Sequence, residues 1–491
     1  MKVLKDTIYS EVSECTDEEL TKLKAMLTFY GKLEMKSHID SSGRFYTGLI
    51  QYIISNGMEV EVNEVSEDKV TPTVSIKEIS VDTEILDNRS LRDYQCTATR
   101  KALYSGRGII QAATGSGKTE MSASAIKHFR LYGYADTVVC LAPTVFLMQQ
   151  MANKFEEMGL GKVNRIGGGH KFKKGCTIHV YVVNSALRAL QRKEGEPIVS
   201  ADMLVLDECH HAHAQSWVTV TEACPAKIRL AYTATVHDDP EKWSYEDLQL
   251  VGLTGGILLN IRSKELRVRG YLADPLVTIL KVKTGRIPVW SWHKVYKLGI
   301  VSNKVRNSMI LSLAASVYEG GYKIMIFISM IAHGHDLARK LALSGCECVF
   351  VHGGSSAHIY KPSGSKETKK WGVDDIGRYI NNRERVILIT SSVLDEGIDI
   401  PVINVLIMGT GMKKYRRTIQ RVGRGMRPKE GQNRVFIFDF MDTNHNFLKA
   451  QSDYRMWTYK EEEFDISESL DFTMNAMGCP VVVMDNFMRN I

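Results

Sequence analysis

The chain has 491 residues, 44% of them hydrophobic and 24% charged, with a formal net charge of +7. That length fits about three domains of ordinary size, and the composition excludes a globally disordered or collagen-like chain. No apolar run reaches the ~18 residues of a membrane span, and "MKVLKDTIYSEVSECTDEEL" is too acidic and polar for a secretory signal, so a cytoplasmic protein with no membrane partner is expected.

The nine cysteines are scattered singly apart from Cys346 and Cys348. Such an odd, dispersed set reads as free thiols in a reducing compartment. A lone C-x-C pair fits two strand-flanking residues better than a zinc site. Charge is uneven: residues 1–86 carry 9 Lys+Arg against 16 Asp+Glu, leaving 54 against 40 for residues 87–491. A basic body suits a polyanionic partner such as nucleic acid, although many basic surfaces are merely solvated.

In chain order, residues 1–86 begin with an acidic helical segment, "TDEELTKLKAMLTFYGKL". The alternating "MEVEVNEVSEDKVTPTVSIKEI" follows, with the period-two pattern of strands. A small α+β domain is expected there, without a catalytic constellation. From 87 to 262 short apolar runs alternate with amphipathic stretches: "GRGIIQAA", a helix from near Lys118, "TVVCLAP", "VFLMQQMANKFEEMG", "TIHVYVV", "MLVLDE" and "KIRLAYTAT". The rhythm returns from 300 to 442 in "KIMIFIS", "CVFVHGG", "RVILITSS", "INVLIMG" and "RVFIFDF". Strands alternating with helices predict two α/β domains in tandem, each with a parallel sheet covered on both faces. Residues 263–299 read as a linker and 443–491 as a C-terminal extension. Within the extension "YRMWTYKEEEFDI" reads as a helix packed on the second domain or as a partner site. The polar stretch "SSAHIYKPSGSKETKKWG" (355–372) reads as a long loop, either solvated or touching phosphates.

Three segments carry chemistry. In "QAATGSGKTE" (111–120), a strand ends near Gln111 and a helix starts near Lys118. Thr114, Gly115, Ser116 and Gly117 form the turn between them. Its glycines let the backbone turn N–H groups inward as an anion nest at the helix N-terminus. Lys118 would place a charge on the β- and γ-phosphates, and the hydroxyl of Thr119 could ligand Mg²⁺. In "VLDECHH" (205–211), an apolar strand delivers Asp207, to hold Mg²⁺ through water, and Glu208, to act as base toward the attacking water. The rival reading of Cys209, His210, His211 and His213 as a metal set is poor, because adjacent residues on one turn converge badly on a tetrahedral ion. In "QRVGRGMRPKEG" (420–431), Gln420, Arg424 and Arg427 lie at helical spacings and can share a face. Such a face is either solvated or supplies arginines that neutralise charge on a transferring γ-phosphoryl.

Together these motifs resemble the DExH helicases and translocases of superfamily 2, over roughly residues 88–442. "LRDYQ" (91–95) resembles the adenine-recognition motif, which implies Arg92 and Gln95 in nucleotide binding. "AATGSGKT" (112–119) is similar to that superfamily's first motif, where a leading alanine is common. "APT" (142–144) and "GGG" (167–169) resemble backbone-contacting motifs, implying nucleic-acid contacts at Thr144 and Gly168. "DECH" (207–210) resembles the Mg²⁺/water motif, and "TAT" (233–235) the coupling motif, which implies that His210, Thr233 and Thr235 link the two sites. "TSSVLDEGIDIP" (390–401) and "QRVGRGMR" resemble the fifth and sixth motifs. They imply nucleic-acid contacts at Thr390 and Gly397, nucleotide contacts at Gly397 and Asp399, and catalytic roles for Gln420, Arg424 and Arg427.

"LVGLTGG…ELRVRGYLADPLV" (250–277), "NKVRN" (303–307) and "AHGHDL" (332–337) resemble phage UvsW-type branch-migration helicases and the related XPB group. The resemblance implies two RecA-like domains, ATP and Mg²⁺ as cofactors, and 3' to 5' translocation. It further implies DNA partners, namely forks, four-way junctions and single strands, in recombination, replication or repair, in a host cytoplasm if the protein is phage-encoded. Residues 1–86 would serve as a strand-separating wedge or as a regulatory domain. Two other readings stand beside this one: an RNA helicase or duplex translocase without strand separation, and an ATP-gated nucleic-acid-binding protein.

Overall fold

The computed structural model describes residues 1–30, 35–64, 80–212, 214–234, 243–352, 356–371, 373–391, 403–411, 418, 421–423, 425–426 and 433–479. The chain divides into two compact units, one of Met1–Ala113 with Gly117–Arg262, the other running from Ser263 onward together with Thr114–Ser116.

The first unit opens with β1 (Lys2–Lys5), β2 (Tyr9–Glu14), α1 (Asp17–Leu27), β3 (Arg44–Tyr46), α2 (Ile50–Ser55) and β4 (Glu61–Glu64). These strands form one sheet in the order β3-β2-β1-β4, in a small α+β region as expected; of the alternating segment only β4 is a described strand, and residues 65–79 lie outside the described residues. Helix α1 starts where its sequence says it should. The Thr16 side chain accepts from the Glu19 N–H while Glu19 reaches back to the Thr16 N–H, a capping box ahead of three acidic residues in the first turn, where they suit the helix dipole.

The α/β part follows as α3 (Asp93–Ser105), β5 (Arg107–Ala112), α4 (Lys118–Leu131), β6 (Val138–Ala142), α5 (Val145–Glu157), β7 (Val163–Ile166), β8 (Ile178–Val182), α6 (Val183–Gln191), β9 (Met203–Asp207), α7 (Gln215–Ala223), β10 (Ile228–Thr233), α8 (Tyr245–Thr254) and β11 (Ile257–Ile261). Among the described residues the strands make a seven-stranded sheet, β11-β5-β10-β9-β6-β8-β7, parallel throughout. Strands β5, β6, β9 and β10 are almost wholly buried, which is why they read as continuous apolar runs rather than alternations.

The N-terminal region is not a detached appendage. One core runs from Val3, Leu23, Phe45 and Leu49 to Trp217, Val220, Leu248 and Val251. Gly48 sits so close to the backbone of Val251 and Gly252 that a Cβ has no room. The hydroxyls of Tyr9 and Tyr46 both donate to one carboxylate oxygen of Glu222 in α7. His38 stacks on Tyr245 at 4.0 Å between centroids.

The second unit holds β12 (Asp274–Val282), α9 (Lys304–Glu319), β13 (Lys323–Phe327), α10 (Ile331–Leu343), β14 (Cys348–His352), β15 (Ser356–Tyr360), β16 (Lys366–Lys370), α11 (Val373–Asn381), β17 (Val386–Thr390), β18 (Val405–Ile407), β19 (Arg434–Asp442), α12 (Asn446–Glu461), β20 (Asp465–Ser467) and α13 (Leu470–Met477). Their sheet runs β16-β15-β14-β17-β13-β18-β19-β12-β20. Among the described residues β15 pairs antiparallel with both β14 and β16, and the other pairings are parallel.

Two sequence expectations change here. Residues 263–299, read as a linker, contain β12, which pairs with β19 over nine residues and with β20 on its other side. Residues 355–372, read as a long loop, contain the β15–β16 hairpin, which extends the sheet edge. The C-terminal extension does supply a packed helix: Arg455 of α12 pairs with Asp439 of β19 at 2.8 Å, and Tyr459 donates to the same carboxylate. "NKVRN" has a structural use as well. Asn303 caps α9, and the buried guanidinium of Arg306 bonds Asp442 and the carbonyls of Met408 and Gly409.

Candidate functional site

The site is built at the C-terminal ends of the first unit's strands, where a parallel sheet places loops and helix N-termini together. Ala112 is the last residue of β5, fully buried and in register with Ile261 of β11. After it the chain turns through Gly115 and Gly117, at φ +85° and +84°, left-handed conformations that glycine adopts without steric cost. Gly117 is the N-cap of α4. Lys118 then donates from Nζ to the Ala112 carbonyl at 3.3 Å. Gln95 lies against this turn: its side-chain oxygen accepts the Arg92 N–H at 2.9 Å, and its amide nitrogen occupies the space a Cβ on Gly117 would need.

Asp207 ends β9 in the middle of the sheet, and Glu208 follows it at φ +48°. A non-glycine residue held there is strained, a cost tolerated where the surrounding structure fixes it for use. The turn aims Glu208 at two partners. One carboxylate oxygen lies 3.8 Å from Lys118 Nζ, the other 3.3 Å from His210 Nδ1. That same His210 nitrogen lies 3.2 Å from the Thr233 hydroxyl at the end of β10. A polar chain thus runs from Lys118 through Glu208 and His210 to Thr233.

Burial pushes the Asp207 carboxyl above the usual carboxylate range, and the neighbouring charge of Glu208 pushes it further, with Lys118 pulling back. Two carboxylates crowded at a sheet end in this way are relieved by a cation, so the donor set fits Mg²⁺. The left-handed glycine turn, the helix N-terminus and Lys118 fit a nucleotide triphosphate. The Cys209–His213 metal reading fares worse: Cys209 is buried in the core while His210 turns toward Glu208 and Thr233, so these neighbours diverge.

The two motifs expected to contact a nucleic-acid backbone lie together. Thr144 caps α5 by accepting the Leu147 N–H at 3.2 Å. Gly168, at φ +60°, packs on Val145, the next residue, with no room for a Cβ. Thr390 requires a correction. Its side chain is fully buried at the end of β17 and its hydroxyl donates to the Ser391 carbonyl at 2.9 Å, so it offers nothing to a phosphate. Arg421, between the expected catalytic residues, is buried and donates to the Thr410 hydroxyl at 2.8 Å. Thr235, Gly397, Asp399, Gln420, Arg424 and Arg427 lie outside the described residues.

Comparison with known proteins agrees with this geometry. Residues 88–238 match the family described as type III restriction enzyme, res subunit, and residues 306–429 the helicase conserved C-terminal domain. Together they span more than half of the chain. It belongs to the superfamily 2 helicases.

The chain is 23% identical over 442 residues to the DNA 3'-5' translocase XPB2 of Sulfurisphaera tokodaii, covering 85% of this chain and 92% of that protein. It is 24% identical over 370 residues to the DNA 3'-5' helicase XPB of Kineococcus radiotolerans, covering 73% and 61%. Among solved structures, Saccharomyces cerevisiae Dbp5 bound to RNA and ADP BeF3 aligns with a TM-score of 0.56 at 17% identity, over 82% of this chain and 94% of that one, which establishes the fold of tandem RecA-like domains. The crystal structure of T4 UvsW covers 95% and 98% at 17% identity with a TM-score of 0.42, too distant to bear on the kinship. This superfamily 2 helicase therefore uses ATP and acts on nucleic acid. Among its described residues no helix is long and apolar enough to cross a membrane.

Proposed function

We propose that this helicase is a DNA translocase, moving 3' to 5' and opening or branch-migrating forked and junction DNA. The observation that carries the motor part is the chain Lys118–Glu208–His210–Thr233. It joins the phosphate turn to the end of β10, so a change at the nucleotide has a physical route out of its site.

In this reading Gly115, Ser116 and Gly117 cradle the phosphates through backbone N–H groups, Lys118 neutralises them, and Gln95 with Arg92 holds the base. Thr119 and Asp207 would hold Mg²⁺, which when bound supplies charge neutralisation on the phosphate oxygens. Glu208 takes the proton of the attacking water, and its strained backbone keeps the carboxylate in place. His210 passes the change in Glu208 to Thr233. Thr144 and Gly168 grip strand phosphates, which positions the strand without reading its bases. Gln420, Arg424, Arg427, Gly397, Asp399 and Thr235 are assigned from their sequence pattern alone. The DNA substrate and the polarity rest on the names of the XPB relatives, and junction remodelling rests on the sequence resemblance.

The test is ATP hydrolysis by the full chain with forked DNA, plain duplex and single-stranded RNA, beside strand displacement on forks with 3' or 5' tails. Strongest stimulation by forks, with displacement from the 3' tail, is expected. RNA as the best activator, or duplex stimulation without displacement, refutes the DNA-unwinding reading. Displacement that survives Lys118→Ala refutes the motor itself.

A further inference from the structure

Helix α10 and the paired strands β14 and β15 bring together three histidines that play no part in the nucleotide site. His335 lies on α10, His352 ends β14, and His358 sits on β15, opposite Phe350 in the antiparallel register. All three are partly buried, and one ring nitrogen from each lies within 4.8 Å of the others. The Nε2 atoms of His352 and His358 are 3.1 Å apart, with the rings stacked at 5.0 Å, while the His335 ring stands edge-on to both at 5.5 and 5.0 Å.

We propose that His335, His352 and His358 form a zinc site that fastens the β15–β16 hairpin to α10. With Zn–N bonds of about 2.0–2.1 Å in a tetrahedron, two ligand nitrogens stand about 3.3 Å apart. The His352–His358 pair already has that spacing, and only His335 has to close in.

The outer faces of the rings support the assignment. His335 Nδ1 meets the Tyr360 hydroxyl at 2.6 Å, and His358 Nδ1 meets the Thr368 hydroxyl at 2.9 Å. In the tautomer in which each Nδ1–H donates to its hydroxyl, Nε2 keeps its lone pair and turns inward, the arrangement that outer partners of metal-bound histidines select. Lys366, exposed to solvent with its ammonium 5.6 Å from the Tyr360 ring centroid, opposes a further positive charge. Three imidazoles with no carboxylate suit zinc or a late transition metal rather than Mg²⁺ or Ca²⁺, and the fourth position is left for water. The hairpin thus held exposes Lys361, Lys366, Lys369 and Lys370.

The full chain, dialysed against zinc with a weak competing chelator, should retain one zinc as measured by elemental analysis. Added zinc should raise its melting temperature, and cobalt in place of zinc should give the absorption of a tetrahedral nitrogen site. His335→Gln and His358→Gln should lose all three signals while keeping ATP hydrolysis. Tyr360→Phe should keep the site but weaken it roughly 10–100-fold. Failure of the wild-type chain to retain zinc overturns the proposal. So does equal retention by both histidine variants, or a wild-type cobalt complex without tetrahedral absorption, a readout that does not depend on any variant folding.

Discussion

Glu208 is the residue on which the site turns, because its backbone strain, its ion pair with Lys118 and its contact with His210 meet in one side chain. Glu208→Gln keeps the shape and removes the base. ATP turnover should fall by roughly 10²–10⁴-fold while ATP binding, followed with a fluorescent analogue, changes little. Lys118→Ala should instead weaken binding as well as turnover. The types of these residues were legible from "GSGKT" and "DECH", since each motif is contiguous. The strained turn was not, because a positive φ at a glutamate leaves no mark in the sequence. Thr390 failed in the opposite sense: its motif placed it at a strand end, but whether a strand-end hydroxyl points out or in depends on the sheet around it.

A second residue makes stability depend on pH. His128 in α4 is fully buried. Its Nδ1 donates to the Ser124 carbonyl at 2.8 Å, and its Nε2 accepts the Asp82 N–H at 3.1 Å, so the folded state needs the neutral ring. Burial lowers its pKa below the ordinary 6.5. The unfolded chain therefore binds the proton first, and the stabilisation is complete above pH 6.5 and lost as pH falls below it. Urea unfolding of the first unit at pH 7.5 and 5.5 should show this loss. His128→Gln should be less stable at pH 7.5 and show a shallower fall.

At the scale of elements, the N-terminal region and the first α/β unit are joined by a polar contact set in a shared core. One Glu222 oxygen accepts from both Tyr9 and Tyr46, whose rings stack at 5.1 Å. Burial and that carboxylate push Tyr9 up to about 12 and Tyr46 higher still, so both remain donors across the working pH range. Glu222→Ala should cost about 1.5–3 kcal/mol, read as a lower urea midpoint, and should loosen residues 1–64 in hydrogen exchange before the rest of the unit. Removing residues 1–86 outright would take Leu23, Phe45 and Leu49 out of the core they share with Trp217, Val220 and Val251, so a truncation confounds unwinding with stability, and Glu222→Ala is the cleaner probe of a wedge.

Elements were legible where burial is two-sided. Strands β5, β6, β9, β10, β13, β14 and β17 each announce themselves as an apolar run. The β15–β16 hairpin did not, because β16 reads "KETKK" and an edge strand protected by lysines lacks apolar alternation. The three histidines were invisible because His352 and His358 become neighbours only through the β14–β15 register. Strand β12 was hidden otherwise: "DPLVTILKV" is apolar, but its sheet partners β19 and β20 lie more than 150 residues away in sequence.

For the whole molecule the charge distribution sets the next expectation. Residues 87–491 carry 54 basic against 40 acidic side chains, while residues 1–86 carry 9 against 16. A strand gripped through phosphates by the basic part should be released by salt, because binding displaces condensed counterions. If the grip neutralises about four phosphates of a single strand, the slope of log affinity against log salt is about −2.8, and binding weakens roughly 50-fold between about 50 and 200 mM. Fluorescence anisotropy with homopolymer and mixed-sequence oligonucleotides would measure that slope. Similar slopes for all sequences are expected, because Thr144 and Gly168 offer a hydroxyl and a glycine backbone rather than side chains that read base edges. A slope near zero would mean that stacking on bases, not phosphate contact, holds the strand, and would remove Thr144 and Gly168 from the grip. An unchanged slope in Glu222→Ala would show that loosening the acidic N-terminal region, with its net charge of about −7, leaves that electrostatic term unaltered.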